Sequence, residues 1–269
     1  MASPYRRNDR REEPKQGRRL GPRPGAKQAP DPGGTWLWGW HAVLAALGNP
    51  ARGAPLRLLA TPDRARRLTD TLGADLKIEA ADGASIDRVL GRAAVHQGVA
   101  LRIGDLPPTS LDDLAAPAEG VLVMLDQVTD PQNIGAVFRS AAAFGARGVI
   151  LQDRHAPPFT GVIAKAAAGA LEAVPHARVV NLARALERLE AAGWRAVGLA
   201  ADGPSPLAEV LDGGPTVLVL GAEDEGLRRL VSEHCEALAH IPMSGGFESL
   251  NVSVAAAVAL YAAQQARAR

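Results

Sequence analysis

Cysteine is almost missing. Cys235 is the only one in 269 residues, which excludes a disulfide framework and any zinc or iron–sulfur site built from clustered thiolates. Long apolar runs are also lacking. The longest nearly unbroken one, Val252 to Ala263, is interrupted by Ser253 and is too short to span a bilayer, so no membrane partner is expected. No charged n-region followed by an apolar stretch opens the chain, so the expectation is a soluble protein of the reducing cytoplasm. Neither GxGxxG nor GxxxxGKS/T occurs, which argues against a dinucleotide-binding dehydrogenase and a phosphate loop. No metal-ligand spacing is present either: His41, His96 and Cys235 are read as structural, and no metal is expected. Net charge of one sign is absent as well, with 30 Lys+Arg against 29 Asp+Glu, so no global field advertises a polyanionic partner.

What is present is ordinary globular material. Hydrophobic residues make up 47% and charged residues 22%, and the length suggests two domains. The charge, however, is segregated. Residues 1–34 hold nine Lys+Arg and four Asp+Glu, a net +5, with six Pro and five Gly. Such a segment buries too little surface to offset its ordering entropy, so it reads as a disordered basic leader. It is either a solvated tail or an arm that holds polyphosphate by counterion release.

From residue 35 the chain turns globular. WLWGWHAVLAAL (36–47) passes from an aromatic cluster into a short helix; Leu56–Ala60 and Val99–Ile103 read as strands, and Asp63–Leu72 as a helix with Arg64, Arg66 and Arg67 on its polar side. Residues 35–104 thus form a small α/β domain, followed by a Pro- and Asp-rich linker over 105–118. Beyond it, residues 119–269 carry continuous apolar runs at Val121–Leu125, Gly148–Leu151, Ala196–Ala200, Val217–Leu220 and Leu238–Ile241. Runs apolar at every position suit strands buried on both faces of a parallel sheet. Helical stretches lie between them at Ile134–Phe144, Gly161–Leu171, Leu182–Ala192 and Leu250–Ala266, giving an α/β fold. Ligands of such sheets sit at the carboxyl ends of strands, which directs attention to the loops after Leu125, Leu220 and Ile241.

After Leu125 comes DQVTDPQN, then a helix; Asn133 is placed to cap it, and Arg139 stands on a helix otherwise filled with Ala, Ile, Val and Phe. Arg139 is either a surface cation paired with a carboxylate or a bidentate phosphate contact, and the second reading is favoured. After Leu220 comes Gly221-Ala222-Glu223-Asp224-Glu225-Gly226, whose acids suit a cationic or hydroxyl-bearing ligand better than a phosphate. The same acids equally suit a turn before a helix N-terminus. After Ile241 comes PMSGGFES, then Leu250-Asn251-Val252-Ser253 and an Ala-rich helix. A cap accounts for one of Ser249, Asn251 and Ser253, and not for three polar residues at a buried helix start.

Together these segments resemble the three motifs of the SpoU/TrmH family, ribose 2′-O-methyltransferases of the SPOUT class. The matching stretches are Asn133-Ile134-Gly135 to Arg139-Ser140-Ala141, Gly221-Ala222-Glu223 to Gly226, and Ile241-Pro242-Met243 to Ser249-Leu250-Asn251-Val252-Ser253-Val254-Ala255. Gly39-Trp40-His41-Ala42-Val43 and Val95-His96-Gln97-Gly98-Val99 are similar to the ends of the family's small ribosomal-protein-like substrate-binding domain, so the resemblance covers about Trp36 to Ala266. It is greatest to the bacterial type that methylates a guanosine of large-subunit ribosomal RNA. The resemblance implies a trefoil-knotted parallel sheet, a homodimer, and S-adenosylmethionine held at Gly221, Ala222, Gly226, Ile241, Met243 and Leu250. It implies catalytic roles for Arg139, Asn133, Glu223, Ser249 and Asn251, with Arg139 reaching the partner's cofactor. The same chemistry on transfer RNA, and a non-catalytic RNA-binding assembly factor, stand as alternatives.

Overall fold

Buried strands dictate the architecture. In β5 (Val121–Leu125) every residue is buried, and alternate side chains enter different cores. Val121, Val123 and Leu125 pack on one sheet face, Leu122 and Met124 on the other. A strand with two apolar faces needs helices on both, which is the parallel-sheet arrangement. The computed structural model describes residues 1, 33–73, 75–154, 156–222, 225–245 and 249–269. The leader over 1–34 therefore lies, but for its ends, outside the described residues, and so does Glu223.

A four-stranded sheet comprises β1 (Thr35–Trp38), β2 (Arg57–Ala60), β3 (Glu79–Ala80) and β4 (Val99–Ile103) in the order β1-β4-β2-β3. A seven-stranded parallel sheet adds β6 (Gly148–Gln152), β7 (His176–Val179), β8 (Arg195–Leu199), β9 (Ser205–Pro206), β10 (Thr216–Leu220) and β11 (Ala237–His240) to β5. Its order is β7-β6-β5-β10-β8-β11-β9. Around the first sheet lie α1 (Trp40–Leu47), α2 (Pro62–Leu72) and α3 (Gly83–Leu90). Around the second lie α4 (Leu111–Ala115), α5 (Pro131–Ala143), α6 (Gly161–Ala167), α7 (Ala170–Ala173), α8 (Leu182–Ala191), α9 (Leu207–Val210), α10 (Arg229–Glu233) and α11 (Val252–Arg267). None of the described helices is long and apolar enough to cross a membrane.

Several expectations need adjusting. The aromatic cluster at 36–38 is strand β1, paired antiparallel with β4, before Gly39 opens α1. The stretch over 105–118 carries α4, with Leu111 and Leu114 buried against the large sheet. The helix read over 161–171 is two, broken where Ala168 (φ 51°) and Gly169 (φ 95°) take left-handed backbone.

The two sheets share one core, in which Leu37 and Leu101 are continuous with Val123 and Phe138. Gly161 makes the close approach possible: a Cβ there would lie 2.1 Å from the Trp38 ring. An ion pair locks the same seam. Arg52 donates to Glu172 at 2.6 Å with both side chains buried, Asn49 Nδ2 donates to Glu172 Oε2 at 2.8 Å, and Arg52 Nη1 donates to the Gly104 carbonyl at 3.0 Å.

Nearby, His176 lies against Phe159 and Phe138, with ring centroids 4.6 and 6.4 Å away. Burial, with the charges of Arg178 and Arg52, lowers its pKa from the ordinary 6.5 to about 4. The native ring is therefore neutral where the unfolded one is protonated. Stability from this group is complete above pH 6.5 and is lost as pH falls toward 4, by about 3 kcal/mol in all. Urea denaturation of His176→Phe against the natural chain, measured from pH 7.5 to 4, is expected to show a flatter acid limb in the variant.

Candidate active site

Three strand ends and one helix start build a cavity of about 590 Å³. Its walls include 199–202 at the end of β8, 220–222 and 225–227 at the end of β10, Ile241 and Met243 after β11, and Ser249, Leu250, Val252 and Ala255 at the start of α11. A cavity of that size takes a nucleoside-sized ligand. All six positions expected to hold a cofactor, Gly221, Ala222, Gly226, Ile241, Met243 and Leu250, line it, and Ser249 joins them.

Gly221 is where the backbone leaves no alternative. A Cβ there would lie 2.1 Å from the carbonyl carbon of Gly226 and 2.5 Å from the Leu227 nitrogen. The loop folds on itself through an isolated bridge between Ala222 and Gly226, the Gly226 N–H donating to the Ala222 carbonyl at 3.0 Å, with Gly226 at φ 65°. Main-chain groups rather than side chains therefore face that part of the cavity. Asp202 and Glu225 stand in the wall, and no Lys, Arg or His is among the described lining residues. The electrostatics favour a cationic ligand.

The loop is anchored from behind by a pair that the sequence did not signal. Asp126, fully buried at the end of β5, accepts from the Arg228 main-chain N–H at 3.0 Å and from its guanidinium at 2.6 and 2.7 Å. Arg228 Nη2 also reaches Gln152 Oε1 at 3.2 Å. The two partners lie about a hundred residues apart, and only the parallel alignment of β5 with β10 brings them together.

Asn133 does not cap α5. Asp130 does, its side chain accepting from the Gln132 N–H at 2.9 Å with Pro131 opening the helix, because Pro lacks the N–H that a first-turn position leaves unpaired. Asn133 lies one turn inside and buried, and its Oδ1 accepts from Asn251 Nδ2 at 3.1 Å. Asn251 in turn caps α11, its Oδ1 accepting from the Ser253 N–H at 3.0 Å and from Ser253 Oγ at 2.6 Å. The first and third segments therefore meet through Asn133 and Asn251. Arg139 does not join them within one chain. It is exposed, absent from the cavity wall, and forms no hydrogen bond or ion pair with a described residue. Cys235 is no nucleophile: burial pushes its thiol up to about 12, and its Sγ donates to the Val231 carbonyl at 3.3 Å.

The family model for the SpoU rRNA methylase family matches residues 120–261. The chain belongs to the SpoU rRNA methylase family. A second model, for RNA 2′-O ribose methyltransferase substrate binding, matches residues 36–109, so the small sheet also has a SpoU counterpart. Among SpoU relatives, an uncharacterized tRNA/rRNA methyltransferase of Mycolicibacterium vanbaalenii is 44% identical over 65% of this chain. The match spans 57% of that relative's length, little more than half. The 23S rRNA (guanosine-2′-O-)-methyltransferase RlmB of Ralstonia nicotianae is 40% identical over 85% of this chain and 94% of its own. In structure, the SpoU methyltransferase AviRb of Streptomyces viridochromogenes, solved with AdoMet, superposes with a TM-score of 0.73 at 26% identity, covering 87% of this chain and 90% of that one. An AdoMet-bound rRNA methyltransferase of Sinorhizobium meliloti gives 0.72 at 28% identity, with 86% and 87% covered.

Proposed function

We propose that this protein transfers a methyl group from S-adenosylmethionine to the 2′-hydroxyl of a guanosine ribose in large-subunit ribosomal RNA, in the cytoplasm. The observation that carries this reading is the convergence of Gly221, Ala222, Gly226, Ile241, Met243, Ser249 and Leu250 on one cavity. The likeness to the Ralstonia enzyme supports the substrate.

The cavity suits the cofactor on its own terms: main chain exposed at Gly221, apolar walls at Ile241 and Leu250, and the carboxylates of Asp202 and Glu225 without a competing cation. When bound, the cofactor supplies an electrophilic methyl on a positively charged sulfur. The residues of the chain must align a ribose oxygen with it and hold that oxygen as it loses its proton. Alignment supplies several kcal/mol of the barrier reduction in well-oriented systems, on the order of 7 to 11 at best. Asn133 and Asn251 fix the start of α11 against α5, and Ser249 adds a hydroxyl at the cavity wall. A guanidinium with a pKa above about 12 is no general base near neutral pH. Arg139 therefore stabilises the developing alkoxide and grips the adjacent phosphate.

That role requires Arg139 to act on a second subunit's cavity. A homodimer is supported by the outer face of α11, where Val254, Val258 and Tyr261 recur at helical spacing with 47%, 38% and 53% of their surface exposed. The trefoil knot is supported by the return of α11: it follows β11, yet packs on α5, β10 and β5, two and three strands away.

Incubation with methyl-labelled S-adenosylmethionine and separate pools of ribosomal and transfer RNA tests the reading. Label is expected in ribosomal RNA, in alkali-resistant dinucleotides containing 2′-O-methylguanosine. Label confined to transfer RNA would move the substrate, and none in either pool would leave an RNA-binding factor without catalysis.

A further inference from the structure

Charge is divided between the two lobes. Residues 35–104 carry nine Lys+Arg and six Asp+Glu, a net +3, whereas 105–269 carry twelve and nineteen, a net −7. The lobe with the cavity therefore repels a polyanion, and attraction falls to the small lobe and to the basic residues 1–34. Within the small lobe, three of the nine cations, Arg64, Arg66 and Arg67, sit on one helix, α2. Arg66 is neutralised by Asp63 one turn earlier. Arg64 and Arg67 have no carboxylate partner among the described residues; their guanidiniums lie over the same indole ring, that of Trp40, at 5.4 and 4.3 Å from its centroid.

The stack is held in place. Arg64 Nε donates to the Gln97 carbonyl at 3.0 Å, and the Trp40 main-chain N–H donates to Gln97 Oε1 at 2.9 Å. Gln97 itself sits at φ 56°, a left-handed conformation that costs a non-glycine residue free energy and persists where the surroundings enforce it. Lys165 of α6 binds the same turn, donating to the Val95 carbonyl at 2.8 Å. Two planar forks one helical turn apart, stacked on an aromatic ring with no described carboxylate paired to them, are preorganised for phosphate oxygens.

We propose that Arg64 and Arg67, stacked on Trp40 against the Gln97 turn, are the phosphate grip by which the small lobe holds the RNA backbone. The proposal deepens the methyltransferase reading and rests on it. The test uses the full chain and transcribed large-subunit ribosomal RNA, with filter binding over a series of KCl concentrations alongside methyl transfer. For Arg64→Gln/Arg67→Gln, RNA affinity is expected to fall about tenfold, and the slope of log K against log salt to flatten by about one to two. Thermal midpoint and S-adenosylmethionine affinity are expected to stay at the natural values, and Arg66→Gln to change RNA binding much less. Arg67→Glu, a change at an exposed side chain, is expected to weaken RNA binding likewise, and it keeps the proposal testable if the double variant folds poorly. An unchanged salt slope and RNA KM in an active, folded variant would overturn the proposal and reduce the stack to a cover for Trp40. Absence of methyl transfer in the natural chain would instead overturn the methyltransferase reading.

Discussion

Replacing Arg139 with Ala is expected to lower methyl transfer about 10²- to 10³-fold, the usual loss when one donor to a developing oxyanion is removed. Arg139→Lys is expected to lose nearly as much, because an ammonium keeps the charge without the planar fork. S-adenosylmethionine affinity is expected to stay unchanged in both, since Arg139 lies outside the cavity wall. Subunit mixing sharpens the result. A chain carrying Arg139→Ala combined with one carrying Gly221→Ala is expected to regain activity, because one hybrid site then has an intact cavity and an intact Arg139. Failure of the mixture to recover, with both chains folded and dimeric, would return Arg139 to its own subunit's site or remove it from catalysis.

Glu172→Ala is expected to be strongly destabilising. It leaves Arg52, whose side chain is fully buried, with the Gly104 carbonyl as its remaining described partner. Breaking a buried pair by removing one member costs about 3 to 5 kcal/mol. For a domain of this size that corresponds to a lowering of the thermal midpoint by roughly 10 °C. The damage lies at the seam of the two sheets, so RNA-dependent activity is expected to fail at temperatures where the natural chain still works. Scanning calorimetry checks this, and a midpoint within about 2 °C of the natural chain would show that the seam does not depend on the ion pair. The reverse removal, Arg52→Met, leaves the buried Glu172 carboxylate with Asn49 as its remaining described donor and is expected to cost a similar amount.

What was legible in the sequence follows from how strongly each element depends on its own residues. Val121–Leu125 and Val99–Ile103 were readable to the residue, because a strand buried on both faces is apolar at nearly every position. β3 and β9, of two residues each, exist only through their partners in the sheet and leave no pattern of their own. β1 was hidden because TWLW runs into the apolar α1 with only Gly39 between. The break at Ala168 was equally hidden, since alanine favours helix and its φ of 51° is imposed by packing. At the site, the positions named from motif resemblance, such as Gly221 and Leu250, fall on one cavity. Asn133 was misread as a cap because Asp130-Pro131, a stronger start signal, stands three residues earlier. The Asp126–Arg228 anchor depends on strand order, which local spacing does not encode.

Loops distant in sequence form the one cavity to which the cofactor is assigned. Isothermal titration of S-adenosylmethionine into the natural chain and into Gly221→Ala tests that directly. One site per chain is expected for the natural protein. For the variant, whose new methyl would meet the Gly226 carbonyl carbon at 2.1 Å, binding is expected to be abolished or weakened by orders of magnitude without loss of the folded state. Equal affinity in the two proteins would contradict the placement of the cofactor in this cavity.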